Sequence, residues 1–290
     1  MELPGHSRIP ARSRRQMMDW GLVLMSQGLT ATLDEGADGA GWGLLVVDED
    51  YPAAMQAIRL YGLENRHWRW LQPLPGRGRL FDWRVGFWGL LVAAFYVASH
   101  RAGSPLPAAG CMDNAAVAAG QWWRIFTAML LHADAGHLGA NLSAGLLLLG
   151  LAMARYGGGL GLLLAWLAGA GGNLAGLLVY PPAHLGVGAS GMIMGGLGLL
   201  AIQSAALLRH HPAARKPVRR GLMAGVLLFV LFGLSPGTDV VAHFGGFLSG
   251  GLLGGLAIGL APRRHRPSID LAAAILLAGL VAVTSWLAFR

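Results

Sequence analysis

The chain has few charged residues. They make up 12% of its 290 residues, against roughly 25% in an ordinary soluble domain. Hydrophobic residues, by contrast, reach 54%. This balance excludes an intrinsically disordered chain, which combines low hydrophobicity with high charge, and it also excludes a coiled coil and most soluble enzymes. It is typical of a protein that lies largely in a lipid bilayer.

Cysteine is also scarce, since Cys111 is the only one. A single thiol excludes an intramolecular disulfide and a cysteine-based zinc site. Three histidines, His132, His137 and His243, leave metal binding open as an alternative, but no group of carboxylates or thiols accompanies them in the sequence. We therefore predict neither a metal nor another cofactor.

Negative charge is scarcer than positive charge, and the formal net charge is +8. Residues 1–85 are balanced, with 10 of the 22 Lys+Arg and 10 of the 14 Asp+Glu, and they look like soluble protein. The positive excess lies in short clusters between long uncharged stretches, such as 156–208. Positive loops beside apolar runs orient a membrane protein. We therefore predict that the protein lies in a lipid bilayer and does not bind nucleic acid.

Apolar runs long enough to cross a bilayer, which takes roughly 20 residues, are abundant. Seven candidate spans follow one another, at about 85–101, 137–154, 157–180, 189–208, 221–235, 239–261 and 269–289. If they alternate in direction, nineteen of the 22 Lys+Arg face one side, and only Arg101, Arg124 and Arg290 face the other. The positive-inside rule then predicts a cytoplasmic N-terminus and an external C-terminus.

These segments divide the chain into four predicted parts. They are a small cytosolic α/β domain at 1–72, a linker at 73–84, a six-span core at 85–261, and a basic loop with a seventh helix at 262–290. Within the first part we expect a strand at 41–48 and a helix at 51–65 that is capped by Asp50. The frequent Arg, Ala and Gly, with a single Lys, are typical of a GC-rich bacterial genome, so we expect the inner membrane.

A serine stands between glycines where the fourth span begins, in GVGASG at 186–191. A nucleophilic serine benefits from small neighbours, here Gly188 and Gly191, because the backbone can turn tightly and a carbonyl can approach. The N–H of Ser190, at a helix N-terminus, can then point towards a developing oxyanion. The alternative is that these small residues only serve helix packing.

A histidine lies near the start of the sixth span, in AHFGGFLSGGLLGG at 242–255. Gly246, Gly250 and Gly254 recur every four residues, a pattern that lets two helices approach closely in membranes. His243 shares their face. A serine and a histidine on adjacent helices form a nucleophile–base pair, although a histidine that only stabilises helix packing is the alternative.

Two further polar residues share one face of the second span, in HADAGHLGAN at 132–141. His137 and Asn141 are four residues apart, and both can donate hydrogen bonds to an oxyanion. His132 lies in the preceding loop, where we expect it to bond to backbone groups.

These motifs, in order over about 120–255, resemble the rhomboid family of intramembrane serine proteases. WWR at 122–124 looks like the family's Trp-Arg signature, HADAGHLGAN like its HxxxxHxxxN, GASG like its nucleophile motif, and AHFGG like its sixth-helix motif. The N-terminal segment is similar to the small cytosolic domain of some bacterial rhomboids. The resemblance implies a six-helix rhomboid-like bundle with an extra C-terminal helix.

The resemblance also implies roles for individual residues. Ser190 would be the nucleophile and His243 the general base and acid. His137, Asn141 and the Ser190 N–H would stabilise the oxyanion. Trp123 and Arg124 would shape the first large loop, which lies partly in the outer leaflet.

Two positions complicate this assignment. Many relatives have an aromatic residue four positions after the serine, where this chain has Met194, which bears on the orientation of the imidazole. Asp239, one turn before His243, reads either as a third catalytic residue or, more simply, as a helix N-cap.

The expected function is cleavage of single-span membrane proteins near the outer face of the membrane. One alternative is a catalytically silent relative that binds client transmembrane helices. A transporter or channel is a second alternative, but it would need inverted repeats or a series of ionisable groups across the bilayer, and the polar residues here cluster at one depth.

Overall fold

A computed structural model describes residues 5–35, 41–65, 80–210, 215–234, 237–259 and 267–290. The chain divides into two compact units, Met1–Pro73 and Leu74–Arg290.

The first unit is a small α/β fold. It contains the strands β1 (His6–Pro10), β2 (Ala31–Asp34) and β3 (Gly43–Val47), and the helices α1 (Arg14–Ser26) and α2 (Tyr51–Glu64). The strands form an antiparallel sheet in the order β1-β3-β2, and Leu44 and Val46 from its central strand pack with Met17 and Leu24 of α1. The predicted strand at 41–48 and helix at 51–65 are therefore confirmed.

One detail of the helix α2 differs from the prediction. Pro52 lies in its first turn, but Asp50 makes no side-chain capping hydrogen bond and has helical backbone angles. The predicted Asp50 cap is wrong because Asp48, Glu49 and Asp50 form a short 3₁₀ turn that runs directly into the helix.

The described part of the second unit is built mainly from helices, and seven of them are long. They are α3 (Val85–Ser99), α7 (Ala135–Tyr156), α8 (Gly158–Val179), α9 (Ser190–His210), α10 (Arg215–Gly233), α11 (Val240–Gly259) and α12 (Pro267–Ala288). Each predicted span thus coincides with a helix to within a few residues, except that α10 begins earlier, at its basic residues. In the described residues of the second unit, the fold is all-α apart from one short strand pair.

Five of these helices, α7, α8, α9, α11 and α12, are long and apolar enough to cross a membrane. The helix α3 is apolar but has only 15 residues. In α10, Arg215, Lys216, Arg219 and Arg220 occupy the first turns, so its apolar part is also short. The number of crossings and their direction stay predictions.

The segment between α3 and α7 is folded. It contains the short helices α4 (Leu106–Gly110), α5 (Asn114–Ala118) and α6 (Arg124–Thr127) and the strand β4 (Met112–Asp113), which pairs with β5 (Leu185–Gly186) ahead of α9. The amide of buried Asn114 donates to the carbonyls of Gly176, Tyr180 and Pro181. These bonds fasten the segment to the end of α8.

The helix α12 is joined to the N-terminus of α8. The carboxylate of Asp270 accepts hydrogen bonds from the backbone N–H groups of Gly159, at 2.7 Å, and Leu160, at 3.0 Å. It also lies 3.7 Å from the guanidinium of Arg84. Carboxylates at a helix N-terminus satisfy free N–H groups and complement the helix dipole, so this contact stabilises both helices.

Candidate active site

A cavity of about 660 Å³ lies where α7, α9 and α11 begin. The predicted serine and histidine both line it, as do the two predicted oxyanion donors. The lining residues that concern the site are His137, Asn141, Gly188, Ser190, Gly191, Met194, Asp239 and His243. The sequence motifs from three separate helices thus meet in one place.

Ser190 is the first residue of α9, and the backbone before it turns sharply. Gly188 has a φ of +126°, which strongly favours glycine, and its N–H donates to the carbonyl of Ala128 at 2.9 Å. The carbonyl of Ala189 accepts the first helical hydrogen bond, from Ile193. The N–H of Ser190 therefore belongs to the helix start, whose N–H groups have no partner within the helix.

His243 lies on the first turn of α11 and is only 1% exposed. Its Nδ1 atom is 2.8 Å from the carbonyl oxygen of Gly233, at the end of α10. Because a carbonyl only accepts, Nδ1 carries the proton in this contact. The lone pair of the neutral ring is then on Nε2, as a general base requires.

Asp239 is the N-cap of α11. One carboxylate oxygen accepts from the N–H of Ala242 at 2.9 Å, and the other lies 3.1 Å from Nε2 of His184. The contacts therefore follow the N-cap interpretation. The partner that would make Asp239 a third catalytic residue, Nδ1 of His243, bonds to a backbone carbonyl.

Glycines bring α9 and α11 into backbone contact. A β-carbon on Gly246 would collide with the carbonyl of Gly191, and one on Gly250 with the carbonyl of Gly195. A β-carbon on Gly191 would lie 3.4 Å from the carbonyl oxygen of Ala242. The chain neighbours of Ser190 and His243 are thus in contact, and both residues line the cavity.

His137 and Asn141 occupy the first turns of α7. Asp134 caps this helix by accepting from the N–H of His137 at 2.8 Å. The imidazole of His137 covers Gly188, since a β-carbon there would lie 2.7 Å from its Nε2. The side-chain amide of Asn141 donates to the carbonyl of His137 at 2.9 Å and has a second hydrogen to offer.

His132 packs behind His137. The two rings meet edge to face at 5.1 Å, and His132 is 3% exposed. Within the described part of the chain, neither of its ring nitrogens has a partner with hydrogen-bond geometry. Burial, and then the proximity of His137, lower the pKa of His132 to about 4, and the carbonyl of Leu130 opposes this shift. The ring is neutral near pH 7 and supports His137 by packing.

Trp123 and Arg124 lie outside the cavity lining, in the loop before α7. Buried Arg124 donates to the carbonyls of Ala108 and Cys111, both at 2.9 Å, and to the side chain of Gln121 at 2.7 Å. These bonds join Arg124 to earlier parts of the same loop and so stabilise its conformation. Trp123 precedes α6 as its N-cap residue.

Met194 is the remaining predicted site residue. It is 1% exposed and lines the cavity together with His243. Among the described residues, no group of three or more His, Cys, Asp or Glu side chains lies together in a way that could hold a metal ion.

Three residues at this site were missed by sequence reasoning. They are Gly233, whose carbonyl bonds to His243, and the pair Tyr180 and His184 near Asp239. A backbone carbonyl leaves no signal in a sequence. His184 could have been noticed, because it is a titratable residue six positions before Ser190.

Comparisons with known proteins agree with the motifs. A Rhomboid domain matches residues 119–260. Rhomboid protease GluP of Bacillus subtilis (strain 168) is 32% identical over 204 residues, which are 67% of this chain and 38% of that protein. The putative rhomboid protease YdcA of the same organism is 30% identical over 154 residues, 52% of this chain and 75% of that protein. Rhomboid protease AarA of Providencia stuartii is 30% identical over 169 residues, 51% of this chain and 59% of that protein.

Proposed function

Because the chain belongs to the rhomboid family, we propose that it is an intramembrane serine endopeptidase with Ser190 as nucleophile and His243 as general base. It is an integral membrane protein, and its relatives GluP and AarA are named as rhomboid proteases. The match covers only 38% of GluP. The proposed activity therefore rests on the residues that line the site of this chain.

One observation carries the proposal: Ser190 and a histidine with a free Nε2 lone pair line the same cavity. The contact between Nδ1 of His243 and the Gly233 carbonyl places the proton of the neutral ring on Nδ1, so the lone pair is on Nε2. His243 and Ser190 both line the cavity, and we infer that the acceptor nitrogen of the ring faces it. A serine is activated in this way by an adjacent base that is oriented by a third group.

The reaction follows from these positions. Nε2 of His243 takes the proton of Ser190 as Oγ attacks the scissile carbonyl, and later gives it to the leaving amine. His137, the second amide hydrogen of Asn141 and the Ser190 N–H are the donors for the oxyanion. Water then hydrolyses the acyl-enzyme, again with His243 as the base. Loss of one oxyanion donor should cost about 10²–10³ in rate.

The substrate class follows from the surroundings of the site. Ser190 and His243 lie at the starts of helices that the charge count orients with these ends outside. A transmembrane segment with helix-breaking residues would unwind there and expose a peptide bond to the cavity. We propose single-span membrane proteins as substrates, cut near the outer face of the inner membrane.

The test is cleavage of a panel of single-span proteins co-reconstituted with the enzyme in liposomes. Ser190→Ala should abolish cleavage, whereas Ser143→Ala should leave it unchanged, because the Ser143 hydroxyl bonds to the carbonyl of Gly139 on the exposed side of α7. Cleavage by Ser190→Ala at the wild-type rate would overturn the proposal.

A second measurement separates the protease from a silent relative that only binds client helices. A fluorophosphonate probe should label Ser190 in the wild type and should fail to label His243→Ala. If the folded wild type binds single-span proteins but is neither labelled nor active, the silent relative is the correct interpretation.

A further inference from the structure

We propose that His184 is a positioning residue for this site: by binding Asp239, it holds the segment that leads to Ser190 against the helix that carries His243. This proposal rests on the proposed function. It concerns the contact between His184 and Asp239, to which neither the motifs nor the comparisons assign a role at the site of Ser190 and His243.

The contact joins the two catalytic segments directly. Nε2 of His184 lies 3.1 Å from a carboxylate oxygen of Asp239, and the side chains are 22% and 27% exposed. Asp239 uses its other oxygen to cap α11, through the N–H of Ala242. The Asp239 carbonyl accepts from the N–H of His243 at 3.0 Å. Any movement of Asp239 is therefore passed to the first turn of α11, where His243 lies.

The other end of the contact is equally well anchored. The carbonyl of His184 accepts from the N–H of Asn114 at 3.2 Å. The next two residues, Leu185 and Gly186, pair with the strand β4. His184 thus lies six residues before Ser190 on a segment held by backbone hydrogen bonds, and Asp239 bonds to its imidazole.

Tyr180 orients the imidazole. Its ring stacks on His184 at 4.2 Å, with the planes 25° apart. Stacking limits the rotation of the imidazole, and the remaining freedom is removed by the bond to Asp239.

This arrangement predicts an effect on chemistry more than on substrate binding. If His184 is lost, Asp239 and the first turn of α11 can shift relative to Ser190. A displacement of about 1 Å between reacting groups can cost about 10²-fold in rate. His184→Ala should therefore lower kcat about 10- to 100-fold with little change in KM, and should slow fluorophosphonate labelling of Ser190 to the same extent.

Three variants separate positioning from general destabilisation. His184→Gln keeps an N–H donor near the position of Nε2 and should restore most of the activity. Asp239→Ser keeps a good N-cap but is too short to reach His184, so it should lower kcat as His184→Ala does. The double variant His184→Ala/Asp239→Ser should be no slower than the slower single variant, because both break one contact.

His100→Ala is the matched control. His100 also packs against the tyrosine four residues earlier, Tyr96, with 4.1 Å between ring centroids and the planes tilted by 37°, and it contacts the carbonyl of Ala133. It does not line the cavity. Its loss should leave kcat unchanged, whatever it does to the unfolding midpoint in detergent.

The outcomes distinguish this proposal from the proposed function. If wild-type Ser190 is neither labelled nor active, the proposed function fails. If the wild type is active and His184→Ala matches it in kcat and in labelling rate, only the positioning role of His184 is overturned. If His184→Ala does not fold, Asp239→Ser breaks the same contact, and wild-type kcat in that variant overturns the role as well.

Discussion

The Nδ1 atom of His243 lies 2.8 Å from the carbonyl oxygen of Gly233. In serine proteases with a catalytic triad, a carboxylate holds the histidine by this nitrogen. Here the last residue of α10 supplies a main-chain carbonyl instead, and the carbonyl end of a helix carries partial negative charge. The carboxylate of Asp239 is thereby left to cap α11 and to bind His184.

The contact with Gly233 predicts a difference between two substitutions of His243. Asparagine carries an amide nitrogen near the position of Nδ1, so His243→Asn should keep the bond to Gly233 and unfold close to the wild-type temperature. It has no counterpart of Nε2, so cleavage should fall by up to about 10⁶-fold, as when a protease loses its catalytic histidine. His243→Ala should lose both activity and stability. Thermal unfolding in detergent and probe labelling of Ser190 measure the two effects; equal unfolding midpoints for the two variants would contradict the assigned contact.

Gly188 should tolerate no side chain. Its φ of +126° is costly for any other residue, by about 1–2 kcal/mol, and a β-carbon would also meet the ring of His137 at 2.7 Å. If His137 is an oxyanion donor, Gly188→Ala should slow cleavage by about 10²–10³-fold. The control is Gly103→Ala, which has a φ of +76° but open space around it. It should share the strain and keep the activity, and equal rate losses in both would show that His137 is not involved.

The contact between α9 and α11 can be tested with two adjacent glycines. A β-carbon on Gly250 would collide with the Gly195 carbonyl, whereas one on Gly251 would meet nothing within 4 Å. Overpacking costs about 1–3 kcal/mol, and separation of the helices would also separate Ser190 from His243. Gly250→Ala should therefore lower the unfolding midpoint, and it should also slow cleavage at least tenfold.

Gly251→Ala controls for the substitution itself. A glycine inside a helix costs roughly 1 kcal/mol relative to alanine, and half-buried Gly251 has room for a β-carbon, so this variant should be as stable as the wild type or more so, and fully active. A loss of activity in Gly251→Ala as large as that in Gly250→Ala would contradict the assigned interface.

Much of the site could be predicted from the sequence, because its residues stand in short local patterns. The repeat of Gly246, Gly250 and Gly254 identified the face of α11 that meets α9, and His243 shared it by helical geometry. His137 and Asn141 followed from a spacing of four residues. Each of these inferences needed only the period of a helix and the cost of polar groups in a membrane.

The contacts that join distant segments could not be predicted in the same way. The bond from His243 to Gly233 depends on where α10 ends, and the pair of His184 and Asp239 depends on how the β4–β5 pairing places its loop. The bonds from the start of α8 to Asp270 of α12 are a third example, because more than 100 residues separate the bonded groups. Such contacts are set by tertiary packing and leave no periodic signal.

The low pKa of His132, about 4, makes the stability of the fold depend on pH. In the unfolded chain a histidine titrates near 6.5, and in the fold burial and then His137 disfavour its charged form. The part of the stability that depends on a neutral His132 is fully present above pH 6.5. It is lost as the pH falls from about 6.5 to about 4, because over this range the unfolded state binds the proton more tightly. A shift of this size corresponds to about 3 kcal/mol.

His132→Gln should remove this dependence, because glutamine does not titrate. The measurement is the unfolding midpoint in detergent at pH values from 7.5 to 4.5, where the wild-type midpoint should fall more steeply than that of the variant. His100→Gln makes the same substitution at an exposed histidine and serves as the matched control. If the midpoints of wild type and His132→Gln fall in parallel over this range, then His132 is not the neutral, buried ring that supports His137.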